Sequence, residues 1–459
     1  MMKKIIILFI ILTLVIIVYA EEAITQSTTQ ETVSDSTAKE NPKDLKSFSE
    51  TIKNFSLIPG FYDFYINNEK NQVYMKIKPE QIGELFLLTL SRIKGDGAFF
   101  GTGDMLEEFP LYFERAKNKI YLKKKNMKII IPMAGMGKRM RPHTLTIPKP
   151  LISIAGKPIV QRLVEDISAV CEEKVEEIAF VIGDFGKEAE EKLLTIASNV
   201  GAKGSIYYQE SPLGTAHAVL CAKEALNGKV IVAFADTLFK ADFKLDDSRD
   251  GIIWVHKVKD PSAFGVVKID KQEIITDFIE KPNTFVSDLA IIGIYYFKDG
   301  AYLQKELQYL IDNNLQKNGE FQLTDALENM KKKNTRFYTG KVIEWLDCGN
   351  KNATVYTNQR ILEYHKKDNL TDSSAIIENA IIIQPCFIGK NVKIKNAIIG
   401  PHVSIGDYST IDYSVITNSI IQTNTKIACV NIDNSMIGNN VEYFGGKKEV
   451  SIGDFTVIS

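Results

Sequence analysis

Between Met133 and Pro158 the chain concentrates residue types suited to holding phosphate. Met133-Ala134-Gly135-Met136-Gly137-Lys138-Arg139-Met140-Arg141-Pro142 is followed by Pro148-Lys149-Pro150-Leu151 and Gly156-Lys157-Pro158. Small residues at Ala134, Gly135 and Gly137 let backbone N–H groups approach phosphate oxygens, while the nearby cations, Arg139 and Lys149 among them, neutralise their charge. A glycine pair alone is commonly a plain strand-to-helix turn. Here the glycines, cations and prolines occur as one cassette directly behind the aliphatic run 128–132.

The cassette needs elements to hold it. Aliphatic runs at 128–132, 178–182 and 230–235 alternate with helical stretches at 159–170 and 216–225. Strands apolar throughout and separated by helices predict a doubly wound α/β sheet covered on both faces. After Tyr364 the period changes. Ile376, Ile382, Ile388 and Ile394 stand six apart, Ile399, Ile405 and Ile411 resume the series, and Ile-Gly recurs at 388, 399, 405, 437 and 452. Hexapeptide repetition predicts a left-handed β-helix with the aliphatic residue turned inward. Upstream, alternating runs such as 72–78 and 119–122 predict a small β-rich module. The predicted organisation is a signal peptide or anchor at 1–20, a disordered linker at 21–44, the β-rich module at 45–126, the α/β domain at 127–365 and the β-helix at 370–459.

Taken together, these motifs resemble the sugar-nucleotide pyrophosphorylases, and among them the glucose-1-phosphate thymidylyltransferases. The resemblance continues through Tyr208-Gln209-Glu210-Ser211-Pro212-Leu213-Gly214-Thr215-Ala216, Ala233-Phe234-Ala235-Asp236, Ala263-Phe264-Gly265-Val266-Val267, Glu280-Lys281-Pro282, Ser287-Asp288, the run 319–325, and Trp345-Leu346-Asp347-Cys348-Gly349. It implies a nucleotidyltransferase joining a nucleoside triphosphate to a sugar 1-phosphate, with dTTP and glucose 1-phosphate the expected pair and uridylyl or guanylyl transfer to glucose or mannose 1-phosphate the near alternative. Ala134, Gly135 and Gly137 would hold the nucleotide phosphates, and Gln209 and Gly214 would read the base. Gly265, Glu280 and Asp288 would contact the sugar. Arg139 and Lys149 would stabilise charge on departing pyrophosphate, Lys281 would orient the attacking phosphate, and Asp236 and Asp347 would hold Mg²⁺. Lys138 replaces a frequent threonine, Ala235 a usual glycine, and Asp288 a frequent asparagine.

No catalytic role falls to His143, His217, His256 or His365, which lack ligand spacing. His402 is weighed as the general base of an acyl transfer, which would make the protein bifunctional, against a surface position on a structural β-helix; the surface position is the expectation.

Composition bounds the partners. A formal net charge of -1 argues against nucleic acid. Five scattered cysteines without CxxC spacing read as reduced, cytosolic thiols. The first twenty residues point elsewhere: a basic leader, an aliphatic run and Val18-Tyr19-Ala20 predict secretion or membrane anchoring. The β-rich module is similar to the N-terminal domain of a family of secreted zinc metallopeptidases, yet no His-Glu-x-x-His occurs in the chain. A cytoplasmic, homo-oligomeric enzyme is therefore expected from Met127 on, with membrane contact only through the hydrophobic segment at 1–20 if it stays uncleaved, and with residues 1–126 a truncated secreted protein joined to the enzyme by gene fusion or by a sequence-assembly or gene-calling error. An exported, non-enzymatic module is the competing expectation.

Overall fold

The computed structural model describes residues 5–7 and 52–446, apart from residues 61, 68–71, 84–85, 92–104, 117–118, 125–126, 136, 172, 242–243 and 318. The expected linker and nearly all of the expected signal segment lie outside the described residues, as does the Ile-Gly pair at 452. The chain divides into two compact units, 1–125 and 126–459.

The first unit is built of strands. β1 (Ile5–Ile7) runs parallel to β5 (Phe86–Ser91), which pairs antiparallel with β6 (Met105–Ala116) and through it with β7 (Lys119–Lys124). A second sheet is an antiparallel meander of β2 (Ser56–Ile58), β3 (Asp63–Asn67) and β4 (Gln72–Lys76). Among the described residues, no helix is long and apolar enough to cross a membrane.

The second unit opens with β8 (Met127–Pro132), all six of whose residues are buried. Its side chains alternate between two cores: Ile129 and Ile131 join the cluster on one face, and Ile130 joins the cluster on the other. That is why the strand is apolar throughout: each successive residue faces a different layer of helices. Lys128 is the polar exception, and its ammonium lies 3.4 Å from Glu177 on the neighbouring strand.

Around β8 the sheet is ordered β12-β11-β8-β13-β18-β15-β19, with β16 and β17 attached beside β18. These strands are β11 (Val175–Ile182), β12 (Lys203–Tyr208), β13 (Lys229–Ala233), β15 (Gly251–Lys257), β16 (Gly265–Ile269), β17 (Ile275–Glu280), β18 (Leu289–Phe297) and β19 (Phe337–Lys341). The doubly wound expectation holds for β12, β11, β8 and β13, which are mutually parallel. β18 enters antiparallel beside β13, so the full sheet is mixed. The chain leaves β8 toward β11 on one side and returns to β13 on the other. This reversal opens a crevice at the carboxyl end of β8, the usual ligand position in such sheets.

The helices are α1 (Ile159–Val170), α2 (Lys187–Asn199), α3 (Thr215–Cys221), α4 (Gly300–Asp312), α5 (Leu323–Lys332) and α6 (Lys351–Tyr364). α3 ends earlier than the apolar pattern suggests, because Ala222 (φ -95°, ψ 38°) breaks the helix before a 3-10 turn at Lys223–Ala225. Two short pairs complete the domain: β9 (Ser153–Ile154) with β10 (Lys157–Pro158), and β14 (Thr237–Lys240) with β20 (Glu344–Asp347).

From Ile376 the chain winds through three parallel sheets of very short strands, a β-helix. Its inward ladders are aliphatic: Ile394↔Ile411↔Ile427, Ile399↔Ile416, and Ile388↔Ile405↔Ile421. At the start the structure shifts the predicted series by one residue, since Ile377 rather than Ile376 pairs with Ile394, and both are exposed on the first coil. Asn379, Asn391, Asn396, Asn418, Asn424, Asn434 and Asn440 have positive φ. Asparagine tolerates this left-handed backbone better than most L-residues, which explains why the turns between strands are rich in it.

Candidate active site

An open cleft of about 1130 Å³ lies at the carboxyl ends of the parallel strands. Pro132 to Gly135, Gly137 and Arg139 line it, together with Lys149, Gln209, Gly214 and Asp236. The phosphate cassette, the 208–216 loop and one of the two aspartates are therefore brought together. Gly135 is open on its side-chain side, with nothing within 4 Å of a Cβ placed there. Gly137 has φ 55°, and a Cβ on it would come within 3.1 Å of Lys149 Cβ and 3.0 Å of Thr144 Cγ2. Glycine is required there because the turn must be both left-handed and tight against the lysine.

Lys149 is 8% exposed, and its ammonium donates to Asp236 Oδ2 at 2.9 Å. A buried ammonium needs such a partner. Asp236 lies in the turn between β13 and β14, directly before Thr237, which stands opposite Asp347 of β20. The backbone locks the two aspartates together, Cys348 N–H donating to Asp236 O at 2.9 Å. Burial raises the Asp347 carboxyl above its usual value, and the like charge of Asp236 raises it further; Lys149, the Gly349 N–H and Arg139 oppose the shift. Two carboxylates whose charges repel, beside a cleft lined by Arg139 and Lys149, are of a chemistry that could hold a hard divalent cation.

The remaining predicted residues sit outside this cleft lining. Gly265 opens β16 opposite Glu280 at the end of β17. Glu280 Oε2 accepts from Thr324 Oγ1 at 3.2 Å, and Glu280 Oε1 lies 3.8 Å from the exposed ammonium of Lys281. Lys281 itself has φ 42°. Asp288 pairs with Lys257 at 3.5 Å on the approach to β18. The segment 320–324 connects this group to the cleft. Glu320 lines the cleft, Thr215 Oγ1 donates to Gln322 Oε1 at 3.2 Å and accepts from Leu323 N at 2.9 Å, and Thr324 reaches Glu280. A Cβ on Gly214 (φ 112°) would fall 2.4 Å from Phe321 O, so the loop packs directly on this segment.

The nucleotidyl transferase family model matches residues 128–364. The chain belongs to that family. It is 30% identical to a low-salt glycan biosynthesis nucleotidyltransferase of Haloferax volcanii, over 64% of this chain and 87% of that protein. It is 29% identical to a glucose-1-phosphate thymidylyltransferase of Streptomyces antibioticus, over 69% and 93%. It is 30% identical to the bifunctional protein GlmU of Methanococcus vannielii, over 69% and 79%.

In this nucleotidyltransferase one part of the cassette is displaced from where the sequence suggests. Gly156-Lys157-Pro158 lies away from the cleft lining and docks on the β-helix. A Cβ on Gly156 (φ 83°) would meet Phe387 Cε2 at 2.2 Å, and Lys157 Nζ donates to Glu165 at 2.7 Å. His402 is also held at this junction. Its ring Nε2 is 2.7 Å from Glu363 of α6, and its carbonyl accepts from Asn358 Nδ2. Sequence reasoning missed His217, half-buried on α3, whose Nδ1 is 3.1 Å from Gln209 Nε2. No spacing in the sequence signals that contact.

Proposed function

We propose that this nucleotidyltransferase joins a nucleoside triphosphate, dTTP first among them, to glucose 1-phosphate, giving a nucleoside-diphosphate sugar and pyrophosphate. The observation that carries the reading is the convergence of Gly135, Gly137, Arg139 and Lys149 on one cleft with Asp236. Relatives named as a thymidylyltransferase and as a glycan nucleotidyltransferase support it.

In this reading Ala134, Gly135 and Gly137 cradle the triphosphate with backbone N–H groups. A sugar-phosphate oxygen, oriented by Lys281, attacks the α-phosphorus in line. The bond from that phosphorus to the bridging oxygen breaks, and pyrophosphate leaves with its growing charge met by Arg139 and Lys149. Gln209 and Gly214 read the base, while Gly265, Glu280 and Asp288 meet the sugar hydroxyls. Asp236 and Asp347 would hold Mg²⁺, which when bound draws phosphate oxygens into register and neutralises them. Lys149, which donates to Asp236, stands where its ammonium can meet the departing pyrophosphate.

Pyrophosphate release measured over a panel of triphosphates and sugar 1-phosphates tests the proposal. Turnover with dTTP or UTP and glucose 1-phosphate is the expected result, abolished by Asp236→Ala; no turnover with any pair would sink it. A second activity, acyl transfer by the β-helix with His402 as base, is favoured by the similarity to a bifunctional relative. It requires thiol release from acetyl-coenzyme A that His402→Ala removes, and absence of thiol release rejects it.

The N-terminal unit is proposed to take no part in the chemistry, with the enzyme cytoplasmic. Sequencing the native N-terminus separates the possibilities: a start near Glu21 supports export and a start at Met127 supports a separate enzyme.

A further inference from the structure

Gln209 lines the cleft with a side-chain amide whose orientation is fixed from behind. Its backbone N–H donates to Ile182 O at 2.8 Å, anchoring it at the end of β11. Its Nε2 lies 3.3 Å from Gly214 O and 3.1 Å from His217 Nδ1. A carbonyl oxygen only accepts, so the amide atom facing Gly214 O must be the nitrogen. Both its hydrogens are then committed, one to Gly214 O and one to the histidine. His217 can take the second only as a neutral ring with Nδ1 bare and the proton on Nε2. Burial lowers the affinity of this ring for a second proton, in keeping with that form. Cys221 Sγ lies 3.9 Å from Nδ1 and 4.0 Å from Nε2, on the next turn of α3.

Oε1 is then what Gln209 has left for a ligand, and among the described residues it has no hydrogen-bond partner. We infer that His217 is a specificity-determining residue: by holding Gln209 as a pure acceptor, it selects nucleotides whose base carries a ring N–H on its pairing edge. Uracil and thymine (N3–H) and guanine (N1–H) meet that requirement. Cytosine N3 and adenine N1 are themselves acceptors, and two acceptors face to face leave both unpaired. Without His217 the amide loses one of its two anchors and can turn to offer N–H instead. The inference rests on this cleft being the nucleotide site.

Calorimetric titration of the full chain with UTP, dTTP, GTP, CTP and ATP, without sugar phosphate, reads the base edge directly; pyrophosphate release with the same five reads it in turnover. Wild type is expected to prefer at least one ring-N–H triphosphate over both CTP and ATP. In His217→Leu that preference falls about tenfold, the size of one lost orienting hydrogen bond. The loss lies in Kd and KM, with kcat at saturating nucleotide held within about twofold. His217→Asn, whose Oδ1 can stand where Nδ1 stood, restores the preference. His217→Phe, which keeps the bulk of the ring, serves as the second acceptor-free variant should leucine unfold the loop. An unchanged preference in a folded acceptor-free variant overturns the inference, as does a wild type that prefers CTP or ATP. Wild type that binds ring-N–H triphosphates selectively yet releases no pyrophosphate overturns the proposed reaction and leaves the base reading standing.

Discussion

At the scale of single residues, the sequence singles out Lys149 inside Pro148-Lys149-Pro150-Leu151 and Asp236 at the end of Ala233-Phe234-Ala235-Asp236. Their direct contact is not legible there, since they lie far apart in the chain. If Lys149 carries leaving-group charge, Lys149→Ala lowers kcat by roughly 10²-fold in a pyrophosphate-release assay; an unchanged kcat would reduce the lysine to a structural partner of Asp236. Asp166, half-buried on α1, makes a separate pH prediction. Burial pushes its carboxyl up from 3.8 to about 6, against the nearby positive charges of Arg162 and Lys240. A carboxyl raised on folding contributes its full stability below the unfolded value and loses it as pH rises through the folded one. Asp166→Asn is therefore expected to raise the thermal midpoint at pH 7.5 and to leave it nearly unchanged at pH 4. The gain is at most roughly 3 kcal/mol, from the size of the shift, and smaller because water reaches part of the side chain. A stabilisation of equal size at both pH values would contradict this.

At the scale of elements, α6 carries three fully buried polar residues, Thr354, Thr357 and Asn358, of which Asn358 reaches the β-helix. Thr357 donates to the carbonyl of Asp347 at 2.7 Å, and Thr354 to that of Asn350 at 2.8 Å. Asn358 Oδ1 accepts from Ala155 N at 2.9 Å and from Ser404 Oγ at 2.6 Å, tying the β9–β10 hairpin and the β-helix to one side chain. Asn358→Leu strands buried donors on both sides and should destabilise the unit by roughly 2–4 kcal/mol, measured by denaturant unfolding; a loss below 1 kcal/mol would mean that water replaces the amide. The buried polar face of α6 was not legible in the sequence. Thr and Asn on a helix are ordinarily exposed, and here their partners come from segments outside the helix, Asp347 for Thr357 and Ser404 of the β-helix for Asn358.

At the scale of the whole molecule, the two compact units lead to one prediction and the shared core of the second unit to another. A chain beginning at Met127 should keep the pyrophosphate-releasing activity of the full chain, and loss of that activity with the fold intact would assign the first unit a catalytic part. Ile420 and Met436 of the β-helix belong to the same apolar cluster as Ile129 and Leu163. A chain ending at Tyr364 should therefore aggregate or melt well below the full chain, seen by differential scanning calorimetry. The sequence by itself determined the strand–helix alternation, the change to a hexapeptide period and the grouping of glycines and cations behind β8. Each is a local pattern: a strand buried on both faces must be apolar throughout, a β-helix coil must repeat its inward residue, and a phosphate loop needs small residues near cations. Tertiary structure alone decided the antiparallel entry of β18, the docking of Gly156 under Phe387 and the contact of His217 with Gln209. These depend on surfaces that meet only after folding, and residue type and spacing along the chain carry no record of which surfaces those are.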